Sequence, residues 1–223
     1  CSLSSYNFAP PSPSSSSFNL TIAASLALGA GLGVYLLRKR NEQLLKTSES
    51  SKVLIIGASG AIGLQLVEAL IEKYGPGSVV AALHRTPLPP HLASRCICEF
   101  GFDICKEETI TALLAKYSGQ LRAVWNLAAP LSVDTAKNPE KAHDITVGGM
   151  KRLLGAMKTY GPRFLLFSDS IGSYGKEAPR KEASVRWLVD NPKQDPGSDY
   201  GVQKREIRAL MDMYQQHYGF DCR

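Results

Sequence analysis

An α/β fold built on a parallel sheet is what this sequence predicts, and three observations carry the prediction. Short apolar runs rich in branched residues recur from residue 52 onward, and stretches with apolar residues at helical spacing separate them. The first run, KVLIIG, passes directly into a glycine-rich turn, GASGAIG at Gly57 to Gly63, and then into an amphipathic stretch. Strands covered by helices on both faces read as continuous apolar runs rather than as alternations, and these runs do.

Each element follows in order. KVLIIG (52–57) is the first strand. AIGLQLVEALIEKYG (61–75) is a helix, with Ile62, Leu66, Ala69 and Leu70 on its apolar face and Gly75 ending it. SVVAAL (78–83) is a second strand, and CEFGFDI (98–104) contains a third. KEETITALLAKYSG (106–119) is helical and RAVWNLAA (122–129) is a fourth strand. A helix is expected over 141–160, then the strand RFLLFSDS (163–170) and a last helix over 198–218 closed by Gly219. Right-handed crossovers in such an alternation give a doubly wound sheet of the Rossmann type.

The first fifty residues are different in kind. Residues 1–19 are Ser- and Pro-rich without a single acid or base, and are expected to be a disordered tail. Residues 20–37, LTIAASLALGAGLGVYLL, form an uncharged run near the lower length limit for a membrane-spanning helix, and it ends against Arg38, Lys39 and Arg40. A basic linker over 38–51 then leads into the domain at 52–223. The positive-inside rule places that domain on the cytoplasmic side of a membrane anchor. A targeting segment, mitochondrial included, is the alternative.

Composition narrows the function. The 223 residues, 44% hydrophobic and 21% charged, suffice for one domain with a sizeable core plus an appendage. Three of the charges behind the net +6 sit in the 38–40 cluster, so a nucleic-acid surface is not expected. The five cysteines form neither a disulfide framework nor a paired zinc spacing, and His84, His91, His143 and His217 are scattered, so no metal is expected.

Two motifs carry chemistry. In the glycine turn, Gly57 permits the tight bend, Gly60 lets backbone approach a pyrophosphate, and Gly63 allows close helix–strand packing. Ser59, Ala61 and Ile62 flank that approach at the start of a helix, whose N-terminus favours negative charge. In DYGVQK, Tyr200 and Lys204 are four residues apart and therefore share one helix face. A free phenol ionises near pH 10 and is a poor base at neutral pH. A neighbouring ammonium and an oxidised nicotinamide favour its phenolate, which can take an alcohol's proton as hydride leaves. The order of glycine turn, hydroxyl-rich strand end and Tyr/Lys helix is that of a nicotinamide-dependent oxidoreductase.

GASGAIG, FDI at 102–104, NLAA at 126–129, SDSIGSYG and YGVQK together resemble the extended short-chain dehydrogenase/reductase superfamily. Within it the likeness is greatest to the short-chain type of L-threonine 3-dehydrogenase. The resemblance implies that Ser170, Tyr200 and Lys204 are catalytic and that Ser132 and Ser170 meet the substrate. It implies that Asp103, with Ile104, lies near the adenine, although Asp103 is equally placed to cap the helix starting at Lys106. Leu127, Ala128 and Ala129 would line the cofactor, and a homodimer would form through the long helices after the fourth and fifth strands.

The chain departs from the pattern at four places. The second strand lacks the terminal acid that binds the adenosine ribose of NAD, and reads Ala82, Leu83, His84, Arg85 instead. His84 or Arg85 would suit the 2′-phosphate of NADP, so the cofactor is NAD or NADP, with NAD favoured by the resemblance. Thr146 stands where the superfamily often has Asn, and 176–194 is long and charged. The superfamily's substrate lobe lies mostly beyond the Tyr/Lys helix, while this chain stops at Arg223, short of the next expected strand. It is expected to be largely a cofactor half, inactive alone. Oxidation of threonine or a similar amino alcohol is the leading function. Nucleotide-sugar epimerisation or dehydration, carbonyl reduction, and a non-catalytic membrane-tethered cofactor-binding module are the alternatives.

Overall fold

The computed structural model describes residues 51–175 and 195–223. Strand β1 (Lys52–Ile56) leads into helix α1 (Ala61–Tyr74), β2 (Val79–Leu83), a single turn α2 (Pro90–Ala93) and β3 (Ile97–Phe100). Helix α3 (Glu107–Lys116) returns the chain to β4 (Leu121–Asn126). Short helices α4 (Ser132–Lys137) and α5 (Pro139–His143), a π turn (Asp144–Gly148) and α6 (Gly149–Tyr160) precede β5 (Phe164–Phe167). A 3₁₀ turn (Ile171–Tyr174), the long helix α7 (Asp199–Tyr218) and β6 (Asp221–Cys222) complete the order.

All six strands are parallel, in the order β3-β2-β1-β4-β5-β6. This is the doubly wound order, with the chain reversing direction across the sheet between β1 and β4. The sequence explains why both faces are covered. In β1, Val53 and Ile55 pack into one core with Val67 and Ile71 of α1, whereas Leu54 and Ile56 pack into the other with Leu114 of α3, Leu153 of α6 and Ile207 of α7. Successive side chains of a strand point to opposite faces, so an unbroken apolar run serves two cores at once.

Four expectations are corrected. The buried stripe of α1 is Gly63, Val67 and Ile71, while Ile62 is 66% exposed and Ala69 is exposed as well. Gly63 must face the sheet because only it fits there, and that rotates the helix away from the face read from the sequence. The helix expected over 141–160 is interrupted by the π turn, where Arg152 ion-pairs with Asp144 and also donates to its carbonyl. The strand expected beyond Arg223 already begins at Asp221, whose amide donates to Arg163 O at 2.8 Å.

The membrane-anchored location is the fourth correction. No helix among the described residues is long and apolar enough to cross a membrane. Even the 20-residue α7 carries Lys204, Arg205, Arg208 and Asp212. The expected disordered tail at 1–19, the apolar run at 20–37 and most of the linker at 38–51 lie outside the described residues, as does 176–194, so the structure gives an anchor no support.

Candidate active site

The glycine turn is built by close backbone approach. Gly57 has φ of 84°, and a Cβ there would lie 3.0 Å from the Leu127 carbonyl carbon and 3.1 Å from the Ala128 amide nitrogen. A Cβ on Gly63 would sit 2.2 Å from Gly57 O, and one on Gly60 would sit 3.3 Å from the same oxygen. The turn is therefore pressed against the exit of β4, where the Leu127 amide donates to Ile56 O at 2.9 Å. Helix α1 starts at this turn with no side-chain cap and no acid in its first turn. Its first amides thus lack partners within the helix and present an uncompensated positive end. Asn126, fully buried at the end of β4, accepts the Ala128 amide at 3.1 Å, while its Nδ2 has no hydrogen-bond partner among the described residues. A glycine cradle, a bare helix start and an unpaired buried donor at one edge fit the pyrophosphate of a dinucleotide.

Two strands along, the exits of β2 and β3 meet. His84 and Arg85 are exposed immediately after β2, and His84 Nε2 lies 3.7 Å from Asp103 Oδ2. Asp103 Oδ1 accepts the Cys105 amide at 3.0 Å, so the carboxylate braces its own turn and is not the N-cap of α3, which is Lys106. Ile104 is in the core, its side chain filling the space a Cβ on Gly149 would take. Only its backbone remains for a ligand.

On the other side of β4, Ser170, Tyr200 and Lys204 converge. Ser170 caps the 3₁₀ turn by accepting the Gly172 amide at 3.2 Å. A Cβ on Gly172 would lie 3.6 Å from Ser170 Oγ and 3.8 Å from Tyr200 Cδ1, which places hydroxyl and phenol ring around the same glycine. Helix α7 reaches this turn through Gly201, where a Cβ would sit 2.2 Å from Gly172 O. The Lys204 ammonium donates to Ser168 O at 2.6 Å, 4.2 Å above the Phe167 ring and 5.5 Å from the centre of the Tyr200 ring.

Lys204 is 2% exposed, and burial lowers its pKa from 10.5 to about 8, with Asp169 opposing the shift. The unfolded chain therefore binds more protons than the folded one between about 8 and 10.5. Stability rises with pH across that window and is lost again as pH falls through 8. A Lys204→Met variant is expected to be about 1–3 kcal/mol more stable near neutral pH, with the gap narrowing toward the upper end of the window. Urea titrations of both proteins across the window test this, and a gap that widens with pH contradicts it.

The sequence model of the NAD dependent epimerase/dehydratase family matches residues 53–223. The chain belongs to this family. It is 31% identical over 172 residues to an uncharacterized epimerase/dehydratase of Staphylococcus haemolyticus, covering 77% of this chain and 51% of that one. Among solved structures, it is similar to a monomeric L-threonine 3-dehydrogenase from a metagenome in its apo form. That match has 32% identity and a TM-score of 0.66, and covers 77% of this chain and 51% of the other. The Thermus thermophilus UDP-glucose 4-epimerase complexed with NAD has the same fold at 23% identity, with a TM-score of 0.65 over 77% and 53% of the two chains. The chain thus spans about half the length of the relatives it matches.

In this epimerase/dehydratase-family protein the residues singled out from the sequence fall into three groups along one edge of the sheet. Ser59, Gly60, Ala61, Ile62 and Gly63 belong to the turn and helix start that Gly57 presses against Leu127 and Ala128, with Ala129 next in the chain; His84 adjoins Asp103 and Arg85 follows it; Ser170 and Tyr200 lie about Gly172, with Lys204 5.5 Å from the Tyr200 ring centre. Ser132 is exposed at the start of α4, which packs on α7. Thr146 is buried in the π turn with its hydroxyl unpartnered among the described residues. The sequence alone does not show the brace behind Ser170, Tyr200 and Lys204. Arg208 Nη2 binds Asp169 Oδ2 at 2.9 Å and Ser173 Oγ at 2.5 Å, joining α7 to the exit of β5 and the 3₁₀ turn. The acid inside SDSIGSYG and an arginine one turn beyond Lys204 were its available signal.

Proposed function

We propose that the chain is the nicotinamide-binding part of an oxidoreductase that oxidises the secondary alcohol of L-threonine or a similar small amino alcohol. The observation that carries the reading is the meeting of Ser170, Tyr200 and Lys204 on the sheet edge that also holds the glycine turn. When bound, the nicotinamide supplies the hydride acceptor. The phenolic oxygen of Tyr200 takes the hydroxyl proton of the substrate. The Lys204 ammonium, held on Ser168 O, biases that oxygen toward its anionic form. Ser170 accepts the Gly172 amide and so keeps its own O–H to donate to the substrate oxygen.

The threonine preference is supported by the 32% identity to a threonine 3-dehydrogenase. A sugar-nucleotide epimerase of the same family is the second reading, favoured by the family match and by the shared fold of the Thermus enzyme. The two differ in redox balance: a dehydrogenase accumulates reduced nicotinamide, whereas an epimerase returns the hydride and leaves none. Incubation of the whole oxidoreductase that contains this part with NAD or NADP and either L-threonine or UDP-glucose, followed by absorbance of the reduced cofactor and chromatography of the sugar, separates them. Reduced cofactor with threonine supports the first reading. UDP-galactose without net reduction replaces it with the second.

A further inference from the structure

We propose that this chain selects NADP(H) over NAD(H), with Arg85 and His84 reading the 2′-phosphate of the adenosine ribose. The inference rests on the reading that a nicotinamide dinucleotide binds along the glycine turn, and it goes against the lean to NAD that the resemblance carries. The placement follows from register. Ile56 of β1 is level with Ala82 of β2, so Leu83 stands beside Gly57, and His84 and Arg85 are the first residues past the edge. An NAD site of this fold ends its second strand in a carboxylate that accepts from the ribose hydroxyls. Leu83 occupies that end instead, 1% exposed and packed with Leu88 and Leu92 in the core.

The adjoining acid does not replace the missing one. Asp103 uses one carboxylate oxygen on the Cys105 amide, and the other faces the His84 imidazole at 3.7 Å. It orients His84. Two basic side chains therefore stand exposed where the ribose edge lies, and the end of β2 offers no carboxylate there. The planar guanidinium matches a phosphate bidentately, and charge-assisted hydrogen bonds are about twice as strong as neutral ones. A 2′-hydroxyl would gain little from either residue. A 2′-phosphate gains from both.

Calorimetric titration of the 223-residue chain with NADPH and with NADH tests the proposal without requiring turnover. NADPH is expected to bind at least about tenfold more tightly, as one charged hydrogen bond of ordinary strength implies. Arg85→Ala should lower NADPH affinity about tenfold and leave NADH within about twofold, and Arg85→Glu should lower NADPH affinity further. Arg85 is exposed, and unchanged NADH binding reports that each variant is folded. Equal or tighter binding of NADH overturns the proposal alone, as does an Arg85→Ala effect of the same size on both nucleotides. Failure of both nucleotides to bind overturns the dinucleotide reading and this proposal with it.

Discussion

Replacing Tyr200 by Phe is expected to slow hydride transfer by about 10²–10⁴-fold, the usual contribution of a positioned acid–base group, while nucleotide affinity stays within about twofold. The fold should not notice. The ring that packs beside Gly172 is retained, as is the Lys204 ammonium on Ser168 O. Only the oxygen proposed to take the proton is gone. Single-turnover measurements on the whole oxidoreductase that contains this part, with the alcohol substrate and saturating cofactor, give the rate, and calorimetry gives the affinity. A variant that transfers hydride at the parental rate would remove Tyr200 from the chemistry.

Gly201→Ala and Gly155→Ala make the same chemical change in two helices and are expected to act in opposite directions. At Gly201 the added methyl would lie 2.2 Å from Gly172 O and 2.8 Å from Pro196 Cβ, and the first of these is backbone that cannot rotate away. Helix α7 must back off the 3₁₀ turn, at a cost of about 1–3 kcal/mol, the usual range for overpacking. Because Tyr200 is the adjacent residue and Ser170 caps the turn being displaced, hydride transfer should fall with stability. At Gly155, exposed in α6, a methyl meets nothing within 4 Å. Alanine there is expected to stabilise by roughly 0.5–1 kcal/mol through helix propensity. Denaturant midpoints of the two variants decide it, and a stable Gly201→Ala protein with full activity would show that α7 tolerates displacement.

Much of this was legible in the sequence because the signals were local. KVLIIG and SVVAAL announced doubly buried strands, the glycine turn lay between strand and helix, and four-residue spacing sufficed to pair Tyr200 with Lys204. Contacts between distant segments were not legible. Nothing in the order of residues says that Gly201 rests on Gly172, that Arg208 reaches back to Asp169, or that Asp103 spends one oxygen on its own turn. The misread face of α1 has the same origin. Hydrophobicity favoured Ile62, but the approach to Gly57 O and Ala58 at which any Cβ collides put Gly63 inward, and steric exclusion outweighed apolar spacing. The π turn was hidden because it changes hydrogen bonding without interrupting helical composition.

The unbroken apolar runs have a further consequence for how the strands find their alignment. In a sheet wetted on one face, sliding a strand by one residue turns its greasy side outward, and that penalty enforces the pairing. In β1 such a slide would merely exchange one oily layer for the other, since four of its five residues are buried whichever way they point. What remains to prohibit it is shape: the left-handed kink at Gly57 must meet the peptide between Leu127 and Ala128, where no residue bearing a side chain can take its place. The loop suited to cradle a phosphate therefore also works as the alignment pin of the sheet, and damage to it should be felt as mispairing before it is felt as lost affinity.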